Sequence, residues 1–289
     1  MVAIYIIAGL LLAYLAYCLL DALLKLRRVG RQVKLMSGWG TGKRAEEIAK
    51  ARDLGGKARL YSLEGESKEA YLVLPGGGYT SCSMGAEGFP TLGYLHSLGK
   101  KAYCLRYSVL GEDGSAIDDL NKAMRAIKGE NPGSRIILLG YSAGAHLSLL
   151  SCLDEFSCPR PDGLILAYPY SHMGGKSPNI LLAIFRHLAK RKALKALFGK
   201  KAGKSKGYAR MEEMVSSSFP ECYICYGGKD FIAPAGENGE PLALSFLREG
   251  VRVKQRDFDS LDHAYGIGEG SEAEGWISEA VDWLNQAKE

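Results

Sequence analysis

Apolar and polar residues are arranged along the chain in short blocks that predict strands separated by helices. Apolar runs bounded by turn-forming residues are typical of strands, and apolar positions three or four residues apart are typical of helices. The runs predict strands at 58–63, 70–74, 101–109, 135–139, 163–168, 221–226 and 251–258. Helical patterns lie between most of them, including 117–127, 143–152, 241–249 and 272–286.

This alternation predicts an α/β fold with a mostly parallel sheet covered by helices on both faces. Residues 58–289 are enough for one large domain, and no internal repeat divides them. In such sheets ligands bind at the carboxyl ends of the strands. We therefore expect the functional residues in the loops that follow the strands.

The first twenty residues contain no charged side chain. As a helix this run spans about 30 Å, which is enough for the core of a bilayer. An export signal would carry basic residues before the apolar run and a small-residue cleavage site after it. Here the basic residues follow instead, at 25, 27, 28, 31 and 34. We predict a transmembrane anchor at 1–24 and a basic linker at 25–57, with an export signal or a buried or partner-binding helix as the alternatives.

The distribution of charge and cysteine predicts a cytoplasmic domain. Basic residues next to a membrane span favour the cytoplasmic side. The seven cysteines form no disulfide framework, which agrees with a reducing compartment. Cys222 and Cys225 lie in a predicted strand and would face opposite sides, as small core residues do. No second Cys/His pair has the spacing of a zinc site, and we expect neither metal nor cofactor.

A candidate nucleophile follows the strand at 135–139, in the segment Gly140-Tyr-Ser142-Ala-Gly144. An apolar, helix-favouring segment comes next, so the context is strand, sharp turn and helix. That context, with the pattern G-x-S-x-G, is typical of a reactive serine exposed above a sheet. The same pattern occurs around Ser205, but in a lysine-rich segment without a preceding strand. We therefore predict Ser142 and not Ser205.

Three consecutive glycines follow the strand at 70–74, in Pro75-Gly-Gly-Gly-Tyr79. Glycines let backbone amides approach an oxyanion closely. A phosphate-binding loop would need a Gly-Lys-Ser/Thr or G-x-G-x-x-G pattern, which is absent here. An ordinary tight turn is the other alternative. The reactive-serine turn downstream favours an oxyanion-binding loop.

A reactive serine needs a base and an acid, and the order along the chain indicates both. His263 lies in a loop between the last strand and the last helix; His172, which follows a strand, is the second candidate. Asp230 ends the turn after the strand at 221–226. The chain between Asp230 and His263 has room for one helix and one strand, so we predict Asp230 as the acid. The other carboxylates near His263 are Asp257, Asp259 and Asp262. The remaining histidines, at 96, 146 and 187, lie in helical segments and are expected to be structural or exposed.

These motifs together resemble the α/β-hydrolase superfamily, in its acetyl-esterase and hormone-sensitive-lipase-like branch, over about residues 60–287. The resemblance rests on the glycine loop, the serine turn, Gly227-Gly-Lys-Asp230 and His263-Ala-Tyr-Gly266. It implies a carboxylic ester hydrolase with Ser142, Asp230 and His263 as the catalytic triad. It also implies an oxyanion hole made of the amides of Gly77, Gly78 and Ala143.

Two departures from the branch narrow the expected substrate. Pro75 stands where many relatives have histidine, as in the bacterial carbohydrate-esterase-like members, and Ala264 replaces the commoner glycine. The first departure argues against a lipid substrate, and the second is a smaller difference. We expect a small-molecule ester with a short, acetyl-type acyl group. A serine peptidase of the same superfamily and a non-catalytic membrane-anchored binding protein are the alternatives.

The segment from Gly163 to Met211 has eleven basic residues and no acidic one, within a chain of net charge +5. Apolar residues at helical spacing in this segment predict a basic amphipathic helix inside a cap at about 171–218. Such a helix either lies on an anionic membrane or covers the site with its lysines solvated. Little aromatic interleaving argues against nucleic acid binding. A protein that starts near Val33 is expected to be soluble and active on short esters.

Overall fold

Eight strands form one mixed sheet in the computed structural model, which describes residues 1–36, 38–203 and 205–286. The strands are β1 (Lys50–Gly55), β2 (Ala58–Leu63), β3 (Glu69–Leu74), β4 (Lys101–Arg106), β5 (Arg135–Tyr141), β6 (Gly163–Ala167), β7 (Cys222–Gly227) and β8 (Val253–Phe258). Their order is β1-β2-β4-β3-β5-β6-β7-β8. β2 is antiparallel to both β1 and β4, and all other neighbours are parallel. The predicted α/β fold with a mostly parallel sheet is confirmed.

Helices cover both faces of the sheet. They are α1 (Val2–Met36), α2 (Trp39–Ile48), α3 (Phe89–Ser97), α4 (Ala116–Glu130), α5 (Ala143–Leu150), α6 (Ile180–Phe198), α7 (Gly239–Arg248) and α8 (Trp276–Asn285). Because successive strand residues face opposite sides, Leu72 and Leu74 pack with α4, α5 and α7. Tyr71 and Val73 pack with α3 and α8 on the other side. The two apolar clusters hold the sheet between two helical layers.

Residues 25–36 and 38–57 differ from the predicted linker, because most of them lie in helices and strands. Lys25–Met36 continues α1, and α2 packs against α3, where a side chain at Gly93 would meet Ala45 at 3.0 Å. β1 forms a hairpin with β2 through a turn in which Gly56 has a φ of 57°. β1 is almost wholly exposed, so it carries no apolar pattern from which a strand could be predicted.

The long helix α1 exposes large apolar side chains along its whole length, but from Tyr14 onwards one side of it contacts the domain. Large apolar side chains before Cys18 are exposed, whereas Cys18 itself is buried. The Asn179 side chain donates to the Cys18 carbonyl oxygen at 2.9 Å and to the Asp21 carboxylate at 2.8 Å. The Tyr14 hydroxyl donates to the Pro178 carbonyl oxygen at 2.8 Å. The first contacts of α1 with the domain are thus with Pro178 and Asn179, the two residues before α6.

The end of α1 contacts the loop after β8. The Gln32 amide nitrogen donates to the carbonyl oxygens of Asp262, at 3.0 Å, and His263, at 2.9 Å. Its oxygen accepts from the Asp262 amide at 2.8 Å. The Arg28 guanidinium forms an ion pair with the fully buried Asp262 carboxylate. A protein that starts at Val33 lacks both partners, so we expect the loop of His263 to be less stable in it than in the full-length protein.

We expect Gln32→Ala to destabilise the full-length protein. The substitution leaves three buried backbone groups of Asp262 and His263 without their partner, a loss of about 1–3 kcal/mol in the free energy of unfolding. Arg31→Ala, at the neighbouring exposed position, is the matched control. Thermal unfolding in one detergent compares the two variants with the wild type. Equal midpoints for both variants would show that this end of α1 is not docked.

Candidate active site

Ser142 occupies a strained turn between β5 and α5. Its φ and ψ are 50° and −112°, a conformation that side-chain-bearing residues rarely adopt. Two glycines make room for this turn. A Cβ on Gly144 would lie 1.9 Å from the Leu74 carbonyl oxygen, and one on Gly140 would lie 2.6 Å from the Ala145 Cα. The strain is therefore supported by close backbone packing, which presents the serine at the carboxyl end of β5.

A chain of hydrogen bonds connects the three side chains predicted to act together. His263 Nε2 lies 2.8 Å from Ser142 Oγ, and His263 Nδ1 lies 2.6 Å from Asp230 Oδ2. The other Asp230 oxygen accepts from the amides of Ile232 and Ala233, both at 2.8 Å. All three side chains are buried. In this arrangement the imidazole can accept the serine proton while the carboxylate fixes its orientation.

The carboxylates around His263 control its protonation. Burial by itself lowers the pKa of His263, but the charge and hydrogen bond of Asp230, with smaller effects of Glu87 and Asp262, raise it above the ordinary value of 6.5. The neutral imidazole, which is the form that accepts a proton, therefore predominates only above a pH higher than 6.5.

The competing candidates have other contacts. Asp262 is paired with Arg28, and His172 Nδ1 lies 2.8 Å from a Glu212 oxygen. His146 lies between the Tyr79 hydroxyl, 2.8 Å from Nδ1, and the Tyr208 carbonyl oxygen, 2.6 Å from Nε2. Burial lowers the pKa of His146 to about 4, so the ring is neutral and connects the glycine loop with the cap.

The glycine loop lies against the serine. Gly77 and Gly78 line the same cavity as Ser142 and have φ values of 117° and 61°. Among the described residues, neither of their amides has a hydrogen-bond partner. Ala143 is the first residue of α5, where backbone N–H groups lack intrahelical partners. The loop and the helix N-terminus thus offer unused donors close to Ser142.

Glu87 supports the glycine loop, and sequence reasoning missed it. Its buried carboxylate accepts from the Gly76 amide at 2.6 Å and from the Tyr168 hydroxyl at 2.9 Å. Burial raises its pKa. The Tyr168 ring packs edge-on against His263, with 4.8 Å between ring centroids. The sequence shows only an acidic residue between the glycine loop and the next apolar helix, which does not by itself indicate a contact with Gly76.

The cavity at Ser142 has a volume of about 440 Å³, and α6 forms one of its walls. The wall combines apolar side chains, Phe185 and Leu188, with basic ones, Arg186 and Lys192. Arg186 is buried and forms an ion pair with Glu237. Its Nε–H has no hydrogen-bond partner among the described residues. The pocket is therefore partly apolar, with basic side chains on the wall that α6 forms.

Comparison with known sequences places these features in a family. A family model described as alpha/beta hydrolase fold matches residues 72–267. An acetylxylan esterase of Xylanibacter ruminicola is 26% identical over 224 residues, which cover 74% of this chain and 45% of that protein. The endo-1,4-beta-xylanase B of Butyrivibrio fibrisolvens is 24% identical over 230 residues, covering 72% of this chain and 34% of that protein. The chain thus spans less than half the length of these curated relatives.

Solved structures show the same architecture. An acetyl ester-xyloside bifunctional hydrolase from Caldicellulosiruptor lactoaceticus has a TM-score of 0.62 and 25% identity, covering 78% of this chain and 87% of that one. The carboxylesterase Cest-2923 from Lactobacillus plantarum has a TM-score of 0.62 and 18% identity, covering 82% and 96%, and this likeness concerns the fold alone. The family match extends over more than half of the chain and includes the glycine loop, Ser142, Asp230 and His263. The chain therefore belongs to the α/β-hydrolase fold family.

Proposed function

We propose that the protein is a serine hydrolase that cleaves carboxylic esters. The observation that carries this proposal is the hydrogen-bonded chain from Ser142 through His263 to Asp230, at the wall of a cavity. Ser142 Oγ attacks the ester carbonyl carbon as its proton passes to His263, and the alcohol leaves with that proton. Water then attacks the acyl-enzyme by the same route, releasing the acid and restoring the serine.

The proposed oxyanion hole consists of the amides of Gly77, Gly78 and Ala143. Support comes from the free amides of the glycine loop and from the position of Ala143 at the start of α5. Donors fixed in advance stabilise the negative charge that develops on the carbonyl oxygen in the transition state. Glu87 would hold this loop in place through the Gly76 amide. None of these steps calls for a metal or a cofactor.

The proposed substrate carries a short, acetyl-type acyl group. The names of two relatives, an acetylxylan esterase and an acetyl ester-xyloside hydrolase, favour this choice. A peptidase activity and a non-catalytic binding role are the alternatives. The strained Ser142 and its hydrogen bond to His263 favour a catalyst over a binding protein, because a binding protein has no use for either feature.

We propose that the hydrolase domain lies on the cytoplasmic face of a membrane and that α1 is its single-pass anchor. The helix Ile4–Leu35 contains an apolar window long enough to cross a bilayer, and little of that window is buried by the domain. The basic residues after the apolar run favour the cytoplasmic side, and the lysines of α6 would be attracted to an anionic leaflet.

Digestion of the domain by external protease in sealed cells would contradict this orientation and favour an export signal.

Labelling by a fluorophosphonate probe tests the nucleophile. Ser142→Ala should abolish labelling and lower ester hydrolysis by a factor on the order of 10³ or more, because the attacking oxygen is lost. Ser205→Ala, in the second copy of the same sequence pattern, should label like the wild type, since that hydroxyl donates to the Lys201 carbonyl oxygen. Equal labelling of Ser142→Ala and the wild type would contradict the assignment. A wild type that neither labels nor hydrolyses esters would favour the binding protein.

The pH dependence of kcat/KM tests His263 as the base. The acid limb of the wild type should have its midpoint above pH 6.5. The raised pKa of His263 keeps the imidazole protonated, and so unable to accept a proton, until the pH exceeds that value. Asp230→Asn should lower the rate by a factor on the order of 10³–10⁴ and move the limb to lower pH, because the nearest charge is lost. Asp262→Asn should move it less, since Arg28 balances that charge. Unchanged limbs in both variants would exclude His263 as the titrating group.

Gly77 and Gly78, the last two glycines of the loop, offer a matched pair of substitutions. A Cβ at Gly77 would lie 2.3 Å from the Ser81 carbonyl oxygen, whereas a Cβ at Gly78 has no atom within 4 Å. Gly77→Ala should therefore displace the loop and lower kcat by about 10²–10³, with little change in KM. Gly78→Ala should cost less. Steady-state kinetics on one acetyl ester compares them, and an effect confined to KM would mean that the loop binds the ground-state substrate.

A further inference from the structure

The cap helix α6 exposes a stripe of apolar side chains to solvent. One side of the helix is buried against the domain through Leu182, Ala193, Leu194 and Leu197. The stripe on the exposed side consists of Ile180, Ile184 and Leu188, which are 45%, 50% and 48% exposed. Residues four apart lie on one face of a helix. The structure thus corrects the simple amphipathic pattern: α6 is apolar on two sides, and its exposed basic residues come after the stripe.

The stripe begins where the apolar part of α1 ends. Asp21 is the first charged side chain of the chain, and Asn179, the residue that caps α6, donates to it at 2.8 Å. A charged residue does not enter the bilayer core readily, so Asp21 marks the depth at which α1 would leave it. Ile180 therefore lies at the level of the membrane surface in the proposed arrangement.

The other end of the stripe reaches the active-site cavity. Leu188 and its neighbour Phe185 line the same cavity as Ser142 and His263. Eight residues of helix separate Ile180 from Leu188, a rise of about 12 Å. The stripe therefore forms an apolar path from the membrane surface to the pocket.

The docking of α1 fixes this path in space. α1 contacts Asn179 beside the start of the stripe and the His263 loop beside the pocket. Two separate attachments on one helix prevent the domain from turning freely around its anchor. The mouth of the pocket should thus keep a constant height and direction relative to the bilayer.

We propose that the substrate is an amphiphilic ester held in the membrane. Its apolar tail stays in the leaflet against Ile180 and Ile184, and its acyl group reaches Ser142 past Leu188. This proposal rests on the proposed ester hydrolysis and on α1 as an anchor, and it names the substrate class of the same site. Contiguous apolar surface next to a span is what a lipid leaflet covers. Arg186 and Lys192 line the cavity and bring positive charge near the polar part of the alcohol.

The experiment compares two acetyl esters in the same phosphatidylcholine vesicles that contain full-length protein. The first ester is water-soluble p-nitrophenyl acetate, and the second is dioleoylglycerol acetylated on its free hydroxyl and embedded in the bilayer. The variant Ile180→Ser/Ile184→Ser leaves the residues that line the cavity intact. We expect it to hydrolyse the embedded ester at least about tenfold more slowly, because two apolar contacts with the tail are lost. Its rate on the soluble ester should stay within about twofold of the wild type.

The control variant is Leu244→Ser/Leu247→Ser on α7, two apolar residues that are 45% and 60% exposed and are not among those that line the cavity. It should leave both rates unchanged, and flotation should find all proteins on the vesicles through α1. A wild type that cleaves only the soluble ester overturns the inference and leaves the proposed function standing. An equal rate of the stripe variant and the wild type on the embedded ester also overturns it. Failure on both esters removes the proposed function itself.

Discussion

The close approach of α5 to β3 determines where the parts of the site lie. Gly144 has no side chain, so its backbone packs directly on the Leu74 carbonyl group. Ser142 directly precedes this helix, and Leu74 is the last residue before the glycine loop. One contact therefore fixes both the serine and the loop that would receive the oxyanion. Any larger residue at Gly144 would separate two segments that are useful only together.

The carboxylates around His263 determine the orientation of its ring and its pKa. Asp230 contacts the ring directly, while Glu87 lies behind Tyr168 and Asp262 lies on the side of α1. Arg28 balances Asp262, so that the carboxylate next in sequence to His263 is not free to replace Asp230. The nearest charge decides the orientation of the ring, and the more distant ones add to its pKa in the same direction.

Local patterns in the sequence predicted the strands, the glycine loop and the three side chains that the structure brings together. Their signals lie within a few residues: apolar runs, consecutive glycines, and a serine between glycines. Their catalytic roles remain proposals. The exposed β1 was missed because it has no apolar pattern. Glu87 and Gln32 were missed because their roles come from partners that tertiary folding brings near, 230 residues away for Gln32. No local pattern records such a contact.

The separation between Gln32 and its partners also orders events during synthesis of the protein. The helix that carries Gln32 leaves the ribosome before the loop of Asp262 and His263, which follows 230 residues later. In the proposed arrangement, α1 is already inserted in the bilayer before the base exists. The loop of His263 is then held in place only when it folds back onto a helix that is already in the membrane. In that arrangement the reactive centre is completed on a segment that was placed long before it.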